Sequence, residues 1–371
     1  VNAIEKLLMD MTAKKMIDNL KLKEQNLLKL FQERGAYIFG TGRLGNFAYE
    51  QCIKQGYVIK GYIDNNSTNW NNDKHIYSPD ILKSDDVIIV ASYYFVDIMK
   101  QLYELNIINV IYYEKLSIIL EELDTYSEQV FKILHSDLEL NKNEYIKLYD
   151  ILQDDISKDV FENMIRCRMF MDTSYSVYAM NLSLQNGVQY FDKIITENTS
   201  IDIFYDVGGY DGDSTIDFIK YFQDYKKVYF FEPDQDIINN TKKRLIHFDN
   251  IEYLQAVVGE RREKLKYNAL GGGAGLVDKN GNDIVNSVIL EDYIDNDRVY
   301  VKMDIEGYES QAIRGMKSAI QKYQPILAIS VYHKADDIHR LVNEILSINP
   351  KYKVYMRHYK KNLADTVCYF I

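Results

Sequence analysis

Two stretches far apart in the chain combine carboxylates with glycine: Asp206-Val207-Gly208-Gly209-Tyr210-Asp211-Gly212-Asp213-Ser214-Thr215 and Asp304-Ile305-Glu306-Gly307-Tyr308-Glu309. The first follows the apolar run Ile201 to Val207 and leads into a helical pattern at Thr215. A buried strand, a glycine turn and a helix opened by Ser or Asp make the geometry that holds a nucleoside-linked cofactor in a doubly wound sheet. A second apolar run, Lys227 to Phe231, closes on Glu232-Pro233-Asp234 and so brings a carboxylate beside the turn for both ribose hydroxyls. Carboxylates within the turn repel a pyrophosphate but attract a sulfonium and an α-ammonium, so the charge pattern favours S-adenosylmethionine (SAM) over a dinucleotide. The expected cofactor contacts are Asp206, Gly208, Gly209, Asp211, Gly212, Thr215, Glu232, Pro233 and Asp234, with Ala256 and Val257 as an adenine wall after the strand Ile251 to Leu254.

A different glycine turn, Gly40-Thr41-Gly42-Arg43-Leu44-Gly45, follows the strand-like Ala36 to Phe39 and precedes an amphipathic helix. This is G-x-G-x-x-G in the context a phosphate-cradling turn requires, and Asp64 closes the next strand, Tyr57 to Ile63, where an acid binds ribose hydroxyls. Arg43 replaces the acids of the other turn and suits a bound diphosphate, as part of NAD or of a nucleotide-linked sugar. Gly40, Gly42, Arg43, Gly45 and Asp64 are the candidate residues of this second site.

These turns define the elements that must carry them. Residues 1–35 read as helices, serving either a homo-oligomer contact or, the more ordinary reading, packing on their own domain. Residues 36–113 read as a small Rossmann-like domain with further strands at Val87 to Ala91 and Asn109 to Tyr112, residues 114–198 as a helical connector, and residues 199–371 as the SAM domain. In the last, Gly271 to Gly275 reads as a loop on the substrate side, and Lys351 to Arg357 with Thr366 to Ile371 as a closing antiparallel hairpin. The whole is α/β. A net charge of −11 weighs against binding nucleic acid. The three dispersed cysteines suggest neither a disulfide framework nor a thiolate zinc site, and fit a reducing cytoplasm. No apolar run is long enough for a transmembrane segment.

YFDKII, DVGGYDGDST, FEPD, VKMDIEGYESQAIRGM, SVYHKADDIHRL and a terminal RHY together resemble the FkbM family of SAM-dependent methyltransferases, over about residues 188–371. The resemblance implies a seven-stranded class I methyltransferase sheet and O-methylation of a sugar or polyketide-like hydroxyl, with several bacterial members in surface-glycan biosynthesis. Gly209 departs from the alanine many members carry. The order strand-GTGRLG-helix-GYIDN resembles a small nucleotide-sugar-binding domain of bacterial glycan-modifying enzymes. The expected acceptor is thus a small molecule or glycan precursor, with a nucleotide sugar among the candidates.

Methyl transfer from a sulfonium is an in-line displacement that needs a hydroxyl aligned and its proton removed. His333, delivered to the crevice by the strand Ile326 to Val331, is the expected base, with His358 as second choice. Asp304 and Glu306 would orient the acceptor, take the proton themselves, or face the sulfonium. No third oxygen ligand is evident beside them, so no metal is expected. Two other readings remain: a fused NAD-linked oxidoreductase, disfavoured by the lack of Tyr-x-x-x-Lys after the first glycine turn, and a non-catalytic SAM-fold scaffold.

Overall fold

The computed structural model describes residues 2–9, 11–71, 75–92, 94–113, 115–116, 126–197, 199–268, 275–277, 280–296 and 298–371. The chain forms two compact units, one of Leu7–Lys142 with Arg166–Thr173, the other of Val1–Lys6, Asn143–Ile165 and Ser174–Ile371.

In the N-terminal unit, β1 (Ala36–Phe39), β2 (Ile59–Ile63), β3 (Ile76–Tyr77), β4 (Val87–Val90) and β5 (Val110–Tyr112) make a parallel sheet ordered β3-β2-β1-β4-β5. The central pair is apolar on both faces, as a sheet covered by helices must be: Ile38, Val87 and Ile89 are fully buried with Phe31 of the helix Ala13–Arg34. That helix stops at Gly35, whose φ of +70° suits glycine and whose N–H bonds Phe31 O. β3 is too short and polar in its surroundings to show as a periodic strand in the sequence.

In the C-terminal unit, helices precede the short hairpin β6 (Gly187–Val188) and β7 (Phe191–Asp192). Its main sheet uses β8 (Ile203–Val207), β9 (Lys227–Glu232), β10 (Ile251–Gln255), β15 (Val299–Met303), β16 (Ile326–Ser330), β17 (Val354–His358) and β18 (Thr366–Phe370), in the order β10-β9-β8-β15-β16-β18-β17. Only the pairings of β18 are antiparallel, so the sequence-expected closing hairpin on a parallel sheet is what forms. Between β10 and β15, β11 (Val257–Val258), β12 (Lys264–Asn268), β13 (Leu276–Val277) and β14 (Asp283–Val288) build a separate small sheet. Its strands are short and half exposed. The glycine loop expected at Gly271 to Gly275 lies outside the described residues except for Gly275.

Aromatic packing holds the functional edge. Phe204 of β8 stacks on Phe218 at 4.4 Å between centroids, with Phe191 and Tyr300 beside them, each ring fully or almost fully buried. Each such ring contributes about 1.5–3 kcal/mol. Arg357 of the RHY motif is buried, with Nε 2.7 Å from Asp192 of the YFDKII motif and Nη2 2.7 Å from Asp154. These residues therefore lock the hairpin strand β17 to β7 and to the helical segment at Asp154; breaking such a buried pair costs about 3–5 kcal/mol.

Candidate active site

The carboxyl ends of the central strands converge on one cavity of ≈ 330 Å³. β8 supplies Val207 and Gly208, β9 supplies Phe231, Glu232 and Pro233, Ala256, Val257 and Val258 follow β10, and Asp304, Ile305 and Glu306 follow β15. Tyr210, Tyr267, Tyr308 and Tyr332 add aromatic walls, and Lys360 and Asp365 reach in from the loop between β17 and β18.

The glycine turn is dictated by crowding. A Cβ on Gly208, where φ is +78°, would stand 1.9 Å from the Asp304 carbonyl oxygen. One on Gly209 would stand 2.2 Å from the Phe230 ring, which accounts for glycine where alanine is common in the resembling family. Gly212, at φ +84°, opens the helix Asp213–Tyr221 from the left-handed region.

The turn's own carboxylates do not face the cavity. Asp206 is wholly buried: Oδ2 accepts from Ser214 Oγ at 2.6 Å and Thr215 Oγ1 at 2.8 Å, and Oδ1 lies 3.1 Å from Lys302 Nζ. Lys302 meets it because the two residues stand opposite one another in the β8–β15 register. Asp211 pairs with Arg244 at 2.8 Å on the surface. Asp234 caps the helix Gln235–Arg244 by accepting from Asp236 and Ile237 N–H. Asp206, Gly209, Asp211, Gly212, Thr215 and Asp234 thus frame the turn, while the negative charge facing the cavity comes from Glu232, Asp304, Glu306 and Asp365.

Glu232 is 6% exposed and accepts from Asp234 N at 3.0 Å and Tyr210 N at 3.3 Å. Burial lifts its carboxyl to about 7, against the lowering pull of those amides and of Lys302. A desolvated carboxylate that still has open lone pairs is matched by two hydroxyl donors held side by side, as in a ribose diol.

At the other side of the cavity, Asp304 is held by the Tyr190 hydroxyl at 2.8 Å and the Tyr332 hydroxyl at 3.1 Å. His333 Nε2 stands 3.3 Å from Asp304 Oδ1 and 3.5 Å from Glu306 Oε2, and Nδ1 stands 3.0 Å from Glu309 Oε1. Burial opposes charge on this imidazole, but Glu309, Asp304 and Glu306 outweigh it and lift it to about 9. The ring is enclosed by these acids, and the cavity wall is made by Asp304 and Glu306 instead. Burial also raises the Glu306 carboxyl, with Asp304 and Glu309 adding to it against His333. Tyr210 at φ 46° and Glu306 at φ 54° are non-glycine residues in the left-handed region and both line the cavity, a concentration of backbone strain typical of functional sites. His358 is fully buried on β17, bonded through Nδ1 to Thr366 Oγ1 at 2.9 Å and pushed down to about 4 by burial.

Residues 206–355 match the family model of the methyltransferase FkbM domain. The C-terminal half carries an FkbM methyltransferase domain. The FkbM domain is that of a SAM-dependent methyltransferase, and SAM is its cofactor. In fold, the chain is similar to methyltransferase FkbM from Methylobacillus flagellatus KT at TM-score 0.72 and 20% identity, over 100% of this chain and 99% of that one. A putative rRNA methylase from Clostridium thermocellum aligns over 48% of this chain and 91% of its own at 14% identity and TM-score 0.33. Aeropyrum pernix fibrillarin, with bound S-adenosyl-L-methionine, aligns over 53% of this chain and 74% of its own at 8% identity and TM-score 0.32. Likenesses as slight as these two carry no argument. No curated protein matches the chain. Among the described residues no helix is long and apolar enough to cross a membrane.

Sequence reasoning about the FkbM domain missed Tyr190, Tyr210, Tyr267, Tyr308, Tyr332, Lys360 and Asp365. Tyr190 could have been found, because it opens the YFDKII motif, and Tyr332 because it precedes His333. Tyr210 and Tyr308 could have been found too, inside the DVGGYDGDST and VKMDIEGYESQAIRGM motifs, whereas Tyr267, Lys360 and Asp365 sit in the small sheet or a loop, where no local pattern marks them.

The N-terminal unit has its own cavity of ≈ 550 Å³ at the ends of β1, β2 and β4. Gly40, Thr41, Gly42, Arg43 and Asp64 line it, with Asn65 and Tyr94 opposite. Gly45 lies outside the lining and serves strand–helix contact, since a Cβ there would meet Gly40 O at 1.9 Å. The helix Arg43–Lys54 starts at Gly42 without a side-chain cap, which leaves its first amides facing the cavity end. Asp64 accepts from Thr41 Oγ1, from Asn66 N at 2.8 Å and from Asn69 Nδ2 at 2.9 Å. Burial raises its carboxyl, but these bonds outweigh it and hold it below the ordinary range.

Proposed function

We propose that the FkbM domain methylates a hydroxyl of a sugar or glycan precursor, in surface-polysaccharide biosynthesis, and that the protein works in the cytoplasm. The observation that carries this reading is one cavity with a diol acceptor, Glu232, at one side and the Asp304–Glu306 carboxylate pair at the other. SAM supplies a methyl group activated on a sulfonium. Glu232 holds its ribose, Ala256 and Val257 flank its adenine, and Gly208 lets it approach the turn. Glu306 takes the proton of the acceptor hydroxyl, and Asp304, fixed by Tyr190 and Tyr332, orients that hydroxyl. His333 acts as a positioning residue between the three acids. The tyrosine walls suit the apolar faces of a sugar ring. Three free, buried cysteines, Cys52, Cys167 and Cys368, agree with a reducing compartment.

Incubating the protein with SAM and UDP-, GDP- and CDP-sugars should give a product heavier by one methylene per methyl, read by mass spectrometry. SAM binding without product from any hydroxyl acceptor would favour the scaffold reading instead. SAM affinity should also rise with pH. The diol prefers ionised Glu232, so the Kd falls by up to about tenfold per pH unit below 7 and levels off above it. Calorimetry at pH 6, 7 and 8 checks this, and Glu232→Gln should flatten the profile; a flat wild-type profile would remove Glu232 from the ribose site.

For the N-terminal cavity the same reading assigns the diphosphate of a nucleotide, carried by a nucleotide sugar, to the open amides after Gly42 and to Arg43. Arg43→Ala should weaken binding of a UDP- or GDP-sugar by about tenfold or more, as loss of one charge-assisted bond does. The NAD reading keeps a foothold in Asp64 at the end of β2, and enhanced fluorescence of bound NADH would favour it. A wild type that binds neither ligand would leave the turn as a packing device.

A further inference from the structure

The acids around His333 enclose more than methyl transfer uses. Only 8% of the His333 side chain is exposed, and neither ring nitrogen makes a hydrogen bond of normal geometry, although carboxylate oxygens stand 3.0–3.5 Å away on both edges. We propose that Asp304, Glu309 and His333 bind a divalent first-row cation such as Mn²⁺ or Zn²⁺. One ligand atom from each of the three lies within 4.8 Å of the others. A cation about 2.1 Å from each ligand needs its ligand atoms about 3–3.5 Å apart; Asp304 stands at that spacing from Nε2 and Glu309 from Nδ1, so an ion bound at one ring nitrogen draws in the carboxylate on the other edge. One imidazole nitrogen with two carboxylate oxygens suits Mn²⁺ or Zn²⁺, whereas Mg²⁺ and Ca²⁺ take oxygen throughout.

The outer partners are in place. Tyr190 and Tyr332 donate to Asp304, and the Ile305 and Gly307 amides donate to Glu309 Oε1 at 3.0 and 3.4 Å, so both carboxylates are oriented before any ion arrives. Asp304 lines the cofactor cavity, which leaves one side of the ion open to water or to an acceptor oxygen. That last role rests on the methyl-transfer reading, whereas ion binding does not.

The full chain, stripped with a chelator and titrated with Mn²⁺ under electron paramagnetic resonance, is expected to take up one equivalent. Its pulsed spectrum should show nitrogen modulation from one imidazole, and Zn²⁺ should displace the signal. His333→Gln should lose that modulation and bind at least about tenfold more weakly, with folding checked by its thermal melt. If this variant does not fold, the wild-type modulation decides alone. No stoichiometric uptake, or uptake without imidazole nitrogen, overturns the site. SAM calorimetry on the same sample separates the two readings: SAM bound with Mn²⁺ refused overturns the ion alone, and Mn²⁺ bound with SAM refused overturns the cofactor assignment of Glu232, Ala256 and Val257 alone.

Discussion

Glu306→Gln is expected to lower methyl-transfer turnover by about 10²–10⁴-fold while leaving SAM affinity within about twofold. The substitution keeps the side chain's size, so the loss isolates the proton acceptor. Glu306 sits at the cavity wall on a left-handed backbone, which directs the carboxylate from the end of β15 towards the acceptor side. Asp304→Asn should act differently. Its two oxygens accept from Tyr190 and Tyr332, and an amide puts a donor where one of those hydroxyls points, so acceptor KM should rise along with the fall in turnover. Single-turnover rates, with Kd from calorimetry, separate the two. Turnover of Glu306→Gln within threefold of wild type would mean that another group takes the proton.

Gly208→Ala should cost about 3 kcal/mol or more of stability and abolish SAM binding. The added methyl meets the carbonyl of Asp304 at 1.9 Å, a backbone atom that cannot turn aside, and it forces a left-handed φ on a residue with a side chain. The same carbonyl precedes the carboxylate pair, so any relief of the clash pushes β8 and β15 apart at the catalytic edge. Urea denaturation measures the loss. A change below about 1 kcal/mol would show that the turn tolerates a Cβ. Gly209→Ala offers a graded comparison, because the obstacle there is the Phe230 side chain, which can shift.

The fold of the FkbM domain was legible in the sequence wherever a strand ended in a motif: DVGG, FEPD and MDIEGYE each mark a strand end with residues that line the cavity. The closing hairpin was legible from its two apolar runs, whereas the order of the strands in the sheet was not. What local pattern could not show was who pairs with whom. Asp206 and Asp211 read as carboxylates awaiting a cationic cofactor, yet Lys302 and Arg244, distant in sequence, already hold them. The cofactor reading survives because Glu232, Asp304, Glu306 and Asp365 put negative charge on the cavity instead. His333 was legible as a strand-end histidine, but its enclosure depends on Glu309, a helix residue whose side chain turns back beneath the Ile305 and Gly307 amides. In the N-terminal unit the glycine turn and Asp64 were visible, and the hydrogen bonds that occupy Asp64 were not.

The placement of β18 has a consequence for how the protein is made. It is later in sequence than every other strand, yet it lies inside the sheet, between β16 and β17, with all five of its residues buried. During synthesis β16 therefore emerges with an edge that is unpaired until β18 arrives, and β17, apart from its bridge at Val354 to Leu152, also waits for β18. This half of the sheet therefore closes only when β18 inserts between β16 and β17.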